Sequence, residues 1–474
     1  MIFVNIAQLN TMDNIYMFML IAITVLATID IVVGVSNDAI NFLNSAIGSK
    51  AISMRMMMTV ASLGIFVGAV YSSGLMEVAR KGIFIPAMFS FNEIMYIFMA
   101  VMITDILLLD FFNTLGLPTS TTVSIVFNLL GAAVIMSLIK IGASDGQSFG
   151  DLVNYINTEK AIQIIIGIVM SVFIAFAVGA IVQWISRLVF TFQTEKKIKN
   201  FGAIFGAIAL TAITYFIFLK GLKGTPYYKD LKGSVEGNEL YIMAASFALW
   251  LIVSYVFQAI TKKTILLVVI AVGTFGLALA FSGNDLVNFI GVPMAAYHSY
   301  EAWAASGVEA TLFSMEVLDK KVPAEPLLLF ISGGIMVVTL LFSKKARSVV
   351  ETGISLSRQS ETHEKFEPNF LSRGIVKGAT QLSKYFNAII PISVQENIAN
   401  RFKTPEITLT KDQSIDAPAF DLIRASVNLM VAGILIAIAT TMKLPLSTTY
   451  VTFMVAMGAS FADKAWGRES AVYR

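Results

Sequence analysis

Ser36-Asn37-Asp38-Ala39-Ile40-Asn41-Phe42 places a carboxylate and two carboxamides behind about twenty apolar residues, where a membrane helix is still running. A lone carboxylate near the bilayer centre costs on the order of 3 kcal/mol, so it faces a protein-lined cavity and has a partner or a task. The pattern returns as Gly283-Asn284-Asp285-Leu286-Val287-Asn288-Phe289, again after an apolar run and with the second Asn at the same offset. The two stretches read as halves of one binding site.

Of 474 residues, 56% are hydrophobic and 14% charged, and the mean hydropathy is +0.76. That is too apolar for a soluble domain, and several charge-free runs of about twenty residues mark a polytopic helical membrane protein. The net charge of +3 comes from lysines and arginines flanking membrane helices and gives no reason to expect nucleic acid. Cysteine is absent and the histidines are only His298 and His363, which excludes disulfides and thiolate or multi-histidine metal sites. An ion bound here is bound by oxygen. Met1-Ile2-Phe3-Val4 lacks a basic leader, so the first apolar segment is expected to remain as a membrane helix.

Apolar segments fall near 14–34, 53–74, 92–113, 118–140, 160–186, 200–219, 238–260, 264–281, 327–342, 421–441 and 444–463, about eleven spans. Arg187 with Lys196, Lys197 and Lys199, then Lys262 with Lys263, then Lys344, Lys345 and Arg347 mark three cytoplasmic connections that agree in parity. The acidic connections with Asp145 and Asp151, and with Glu301, Glu309, Glu316 and Glu325, then lie outside. Lysines at 220, 223, 229 and 232 oppose this scheme from a longer loop. Residues 343–420 carry both signs of charge and the breakers Pro368, Pro391, Pro405 and Pro418, so they read as a cytoplasmic insertion, a solvated connector or a regulator's docking segment.

Leu117-Pro118-Thr119-Ser120-Thr121-Thr122 is echoed by Leu444-Pro445-Leu446-Ser447-Thr448-Thr449. Proline fits a helix's first turn, and hydroxyls beside it satisfy free N–H donors, so each motif predicts a helix that begins inside the protein. Such a start carries about half a positive charge and attracts anions. One Ser-Thr-Thr alone is as well explained by a cap or an interhelical hydrogen bond; two copies are harder to dismiss. Asn37 precedes Ser120 by 83 residues and Asn284 precedes Ser447 by 163, the excess matching the 343–420 insertion.

The helices before Asn37 and Asn284 run in opposite directions in this topology. The expected fold is therefore an all-α polytopic membrane protein of two inverted-topology repeats, with broken or re-entrant helices meeting at a midplane site, as in secondary transporters. Repeat 1 occupies 14–190, connecting membrane helices 191–263, and repeat 2 occupies 264–342 and 421–474. Repeat 2 has no counterpart to the 160–186 helix before Arg474, so a further span is expected beyond it.

Two aspartates, four asparagines and six hydroxyls above two helix starts suit a tetrahedral oxyanion, and no Lys or Arg lies in any motif. Phosphate brings roughly 1.5 to 2 negative charges. Beside two ionised aspartates it cannot bind unless mobile cations, Na+ or H+, enter with it.

These residues resemble the inorganic phosphate transporter (PiT) family, whose Gly-Ala-Asn-Asp-Val-Ala-Asn type signature reads here as Val35-Ser36-Asn37-Asp38-Ala39-Ile40-Asn41 and Ser282-Gly283-Asn284-Asp285-Leu286-Val287-Asn288. The Leu-Pro-x-Ser-Thr-Thr pair and Glu77-Val78-Ala79-Arg80-Lys81-Gly82-Ile83 are similar to further family stretches, and the likeness spans about 30 to 465. The resemblance implies cation coordination, including Na+ at Asp38 and Asp285, by Asn37, Asp38, Asn284 and Asp285. It implies phosphate contacts at Ser120, Thr121, Thr122, Ser447, Thr448 and Thr449, with Asn41 and Asn288 as partners. It further implies symport of phosphate with Na+ or H+, no other cofactor, and a homodimer in the cell (inner or plasma) membrane. Val123 and Tyr450 stand where the family often has His, and Ile65 where it commonly has Glu. Those departures keep sulfate as the alternative cargo and leave the coupling stoichiometry open.

From another class, a non-transporting anion sensor or scaffold would bind without flux. An enzyme has no support, for no cofactor motif or nucleophile with a base partner is present. Asp30, two turns before Asp38, reads equally as a proton relay or a structural hydrogen-bond partner. Asp105 and Asp110 read as interfacial, Glu77, Arg80 and Lys81 as a loop cluster, and Arg424 as an interface anchor.

Overall fold

The computed structural model describes residues 11–71, 82–144, 146–192, 195–220, 237–319, 325–356, 391–402, 418–442 and 446–463, with isolated positions between. Glu77, Arg80, Lys81, Lys223, Lys229, Lys232, Leu444, Pro445 and most of 357–417 lie outside the described residues.

Each of the apolar segments expected from sequence has its helix: α1 (Thr11–Asp38) with its continuation α2 (Ile40–Ser49), α3 (Met54–Tyr71), α4 (Phe91–Leu115), α5 (Thr121–Gly142), α6 (Thr158–Phe190), α7 (Glu195–Ile213), α8 (Glu239–Thr261), α9 (Leu266–Ser306), α10 (Pro326–Phe342), α13 (Leu422–Thr441) and α14 (Thr448–Ala462). Two further helices, α11 (Lys344–Leu356) and α12 (Ile392–Arg401), lie within 343–420. Among the described residues, eight helices are long and apolar enough to cross a bilayer; α10 and α11 form a pair bent by 68°, and Met54–Val70 and Thr448–Ala462 are shorter apolar helices. The chain is an all-helical integral membrane protein.

Two of the sequence-based spans end too early. The expected ends at 34 and 281 are overrun, because the polar residues beyond them find partners on neighbouring helices and need not leave the helical ladder. Ala39 keeps right-handed helical angles and its N–H donates to Val35 O at 3.1 Å, so α1 passes into α2 with little interruption. α9 runs 41 residues through Asn284 and Asp285 and past Pro293, packing on α1, α2, α3, α7 and α13 as the spine of the molecule.

Where helices press closest, glycine is required. A Cβ at Gly64 would lie 2.5 Å from Phe275 O, and one at Gly179 would lie 2.6 Å from Val455 O. Close backbone approach is how membrane helices gain packing without a hydrophobic drive. Gly179→Val is expected to cost about 1–3 kcal/mol by overpacking the α6–α14 seam. Thermal unfolding in detergent reads this; an unchanged midpoint would contradict the close contact.

The same seam holds buried charge. Arg187 Nε and Nη2 donate to Asp463 at 2.7 and 2.8 Å, Arg187 Nη1 to Asp421 at 2.5 Å, and Arg424 Nε to Asp463 at 2.8 Å. Both guanidiniums are 0% exposed. Arg187 was expected as a basic marker of a cytoplasmic connection; it is instead enclosed, since two carboxylates from distant helices satisfy it. Arg424, expected as an interface anchor, is likewise enclosed, bonded to Asp463 inside the bundle.

Within 343–420, α11 is not a solvated connector: Ala346, Val349, Val350 and Gly353 are buried, and Gly353 lies against Ile40. Lys345 Nζ reaches Asp110 Oδ1 at 2.5 Å, and Asp110 is half-exposed as expected of an interfacial group. Asp105 differs. It is 1% exposed and bonded inside the bundle. The connections at 83–91, 155–157 and 310–315 are stitched together by Asn157 N to Ile83 O, Phe91 N to Phe313 O and Met315 N to Phe89 O.

Candidate functional site

Both Ser-Thr-Thr motifs start helices inside the protein. Ser120 Oγ accepts from Val123 N at 3.1 Å and Ser447 Oγ accepts from Tyr450 N at 3.0 Å, so the first hydroxyl of each triplet caps α5 or α14. The break before α5 is braced by Asn37: its amide donates to Leu117 O at 3.0 Å and to Asn113 Oδ1 at 2.8 Å, and its oxygen accepts from Thr119 N at 2.7 Å. Asn37 therefore spends its amide on Leu117 and Asn113 at the break, while Asn284 donates to Asp285 Oδ1 at 2.9 Å.

The two threonines of each triplet turn onto the aspartates, in a crossed pattern. Asp38 accepts from Thr121 at 2.9 Å and from Thr449 at 2.8 Å. Asp285 accepts from Thr448 and, at 3.3 Å, from Thr122. Each carboxylate thus takes one hydroxyl from the triplet that follows it and one from the other motif. The second asparagines obey the same rule: Asn41 donates to Thr449 at 3.0 Å and to Asp38 at 3.3 Å, Asn288 to Thr122 at 2.9 Å and to Asp285 at 3.3 Å. Exchanging one half's residues for the other's leaves this set of contacts unchanged.

All six triplet residues, Asn37, Asp38, Asn41, Asn284 and Asp285 are buried, and Asn288 is partly so. Asp38 and Asp285 have 0% exposure and only neutral donors among the described residues. Desolvated carboxylates without a basic partner form a site in which added positive charge is favourable and added negative charge is not. The hydroxyls, amides and two helix starts provide donors that can turn to an anion once a cation occupies the carboxylates. Ile65, where the resemblance would place Glu, is fully buried in the apolar core.

Sequence reading missed Asn113, Asn44, Asn428 and Thr452. A cavity on the far side of the Asn41 and Thr449 that bond Asp38 is lined by Asn41, Asn44, Asn428, Thr449 and Thr452; Asn44 Oδ1 and both amide atoms of Asn428 are buried without a hydrogen-bond partner, and Thr452 donates to Asn41 at 3.1 Å. The spacing of Asn37, Asn41 and Asn44 along one helical face was a usable signal.

A long-helix bundle with paired helix starts and paired carboxylates at a buried centre defines the class: a polytopic membrane protein built around an enclosed polar cluster. Residues 34–360 match the PHO4 phosphate transporter family, and the chain belongs to that family. It is similar to proteins named "Putative phosphate permease" from Pyrococcus horikoshii, at 24% identity over 280 residues, and from Pyrococcus furiosus, at 23% over 293 residues. Those matches cover 58% of this chain and 65% and 64% of the relatives, so the chain spans just under two thirds of their length. A solved structure titled "The sodium-dependent phosphate transporter" shares the fold, with TM-score 0.59 and 19% identity over 94% of this chain and 90% of that one.

Proposed function

We propose that the protein is a secondary active symporter of inorganic phosphate, driven by a Na+ or H+ gradient and working by alternating access between two inverted repeats. The observation that carries this reading is the meeting of two Asn-Asp stretches and two Ser-Thr-Thr helix starts in one buried cluster that contains no basic side chain. In this reading Asp38 and Asp285, with Asn37 and Asn284, hold the co-transported cation. Ser120, Thr121, Thr122, Ser447, Thr448 and Thr449, flanked by Asn41 and Asn288, contact phosphate.

The reason for coupling is electrostatic. Phosphate at roughly 1.5 to 2 negative charges would join two carboxylates in a cavity of low polarity, so cations must accompany it. Each net charge moved down 100 mV supplies about 2.3 kcal/mol, enough for about fifty-fold accumulation. The family and the names of its relatives support phosphate as cargo. The crossed contacts, unchanged when the halves are exchanged, support the internal repeat.

Radiolabelled phosphate uptake into proteoliposomes, with Na+ and H+ gradients imposed separately, tests the reading. Uptake with one gradient and none without it is expected. Uptake of sulfate alone would reassign the cargo, binding without flux would make the protein a sensor, and indifference to both gradients would end the coupling argument.

A further inference from the structure

Eight residues before Asp38, about 12 Å along the helix, α1 carries a second buried acid. Asp30 is 0% exposed, and neither of its carboxylate oxygens has a hydrogen-bond partner. It stands against Asp105 of α4, which is itself 1% exposed. Asp105 Oδ1 accepts from Ser124, and from Asn128 of α5 at 2.8 Å. The Asn128 amide also reaches Ser124 Oγ at 3.3 Å.

Among the described residues, no basic group answers these two acids. On α5 the lysine, Lys140, is bound to Glu93; α10 has no titratable residue; on α11, Lys345 is bound to Asp110, and Lys344, Arg347 and Glu351 are exposed. On α9 the acidic and basic groups are Asp285, in the central site, and His298 and Glu301, which pair with each other; Tyr297 and Tyr300 lie beside His298, toward the far end of the helix. The charge facing Asp30 besides Asp105 is Asp38, so the surroundings are acidic throughout.

The other half of the chain shows that the fold does not need polar groups here. In the register set by Asn37 and Asn284, Asp30 corresponds to Leu277. In the register set by Ser120 and Ser447, Asp105, Ser124 and Asn128 correspond to Ala432, Val451 and Val455. All four counterparts are buried in the apolar core. One half keeps four polar residues where the other is satisfied with hydrocarbon.

We propose that Asp30 and Asp105 bind one exchangeable proton between them, at a site separate from the Asp38–Asp285 cluster. Two adjoining carboxylates in a desolvated place cannot both stay ionised, and one proton taken from water lets Asp30 donate to Asp105. Ser124 and Asn128 aim hydrogens at Asp105, which makes Asp105 the accepting member and Asp30 the proton carrier. They also leave few lone pairs for a metal shell: Asp30's two oxygens and Asp105 Oδ2 remain, and no metal-holding group of three acidic or histidine side chains occurs among the described residues. A proton fits this donor set better than Na+.

Infrared difference spectra of the purified full chain in lipid, acid minus alkaline and without phosphate, test this directly. A protonated-carboxyl C=O band is expected in the wild type and is expected to vanish in Asp30→Asn, whose amide imitates the protonated acid, and in Asp30→Leu, which copies Leu277. The same band surviving in both variants would overturn the proposal. So would its loss when NaCl replaces choline chloride, because that places Na+ at the pair. The effect on flux rests on the transport reading: uptake by Asp30→Asn is expected to lose its dependence on external pH. Wild type that shows the band but no uptake would sink the transport reading and leave the proton site standing.

Discussion

Gradient-driven phosphate uptake is expected to fall at least about 100-fold in Asp38→Asn and in Asp285→Asn, while both proteins still reach the membrane. Each carboxylate collects two hydroxyl donors and one or two amide donors, and charge-assisted hydrogen bonds of this kind are worth roughly 1.5–3 kcal/mol each. Asparagine keeps the shape, and because hydroxyls can also accept, Thr121 or Thr448 can rotate to meet the new amide without leaving a buried group unsatisfied. What is lost is the negative charge on which a cation would rest. Initial rates with and without each gradient check this; a variant that transports at wild-type speed and remains gradient-dependent would make that aspartate structural.

The largest stability loss is expected at Asp463. Removing this side chain in Asp463→Ala strips Arg187 of two bonds and Arg424 of one while both stay 0% exposed, and an uncompensated buried charge costs about 3–5 kcal/mol. Asp421→Ala serves as the comparison. Its side chain is 28% exposed and meets Arg187 at one nitrogen, so water can replace part of what it supplied. Thermal unfolding of the purified protein ranks the two. Equal losses, or a milder one at Asp463, would show that the two guanidiniums do not depend on this single carboxylate.

The central site was legible because its chemistry is written twice. Asn37-Asp38 and Asn284-Asp285, each at a fixed offset from an asparagine and each followed by a Pro-led hydroxyl triplet, single out the residues that the fold brings into contact. The helix positions were legible from apolar runs. Their ends were not, because polar residues such as Asn37 stay helical when a distant helix supplies partners, and that information lies at Asn113 and Leu117. The Arg187–Asp463 pairing was hidden by a separation of 276 residues and by the usual meaning of an arginine at the end of a membrane span. Asp105 was misplaced for the same reason: an acid looks interfacial until Ser124 and Asn128, on another helix, are seen to enclose it.

The crossed bonding at the two aspartates also says which ties must give way first. If the two halves move as the proposed alternating access requires, Thr121 to Asp38 and Thr448 to Asp285 stay within one half, whereas Thr449 to Asp38 and Thr122 to Asp285 join the halves. In the proposed transport cycle those two hydroxyls would form a double clasp between the halves, and cargo that offers them new acceptors would release both at once. Under the proposed coupling, a cation arriving without an anion would leave both ties in place, so the same two threonines would limit idle leakage of the driving ion.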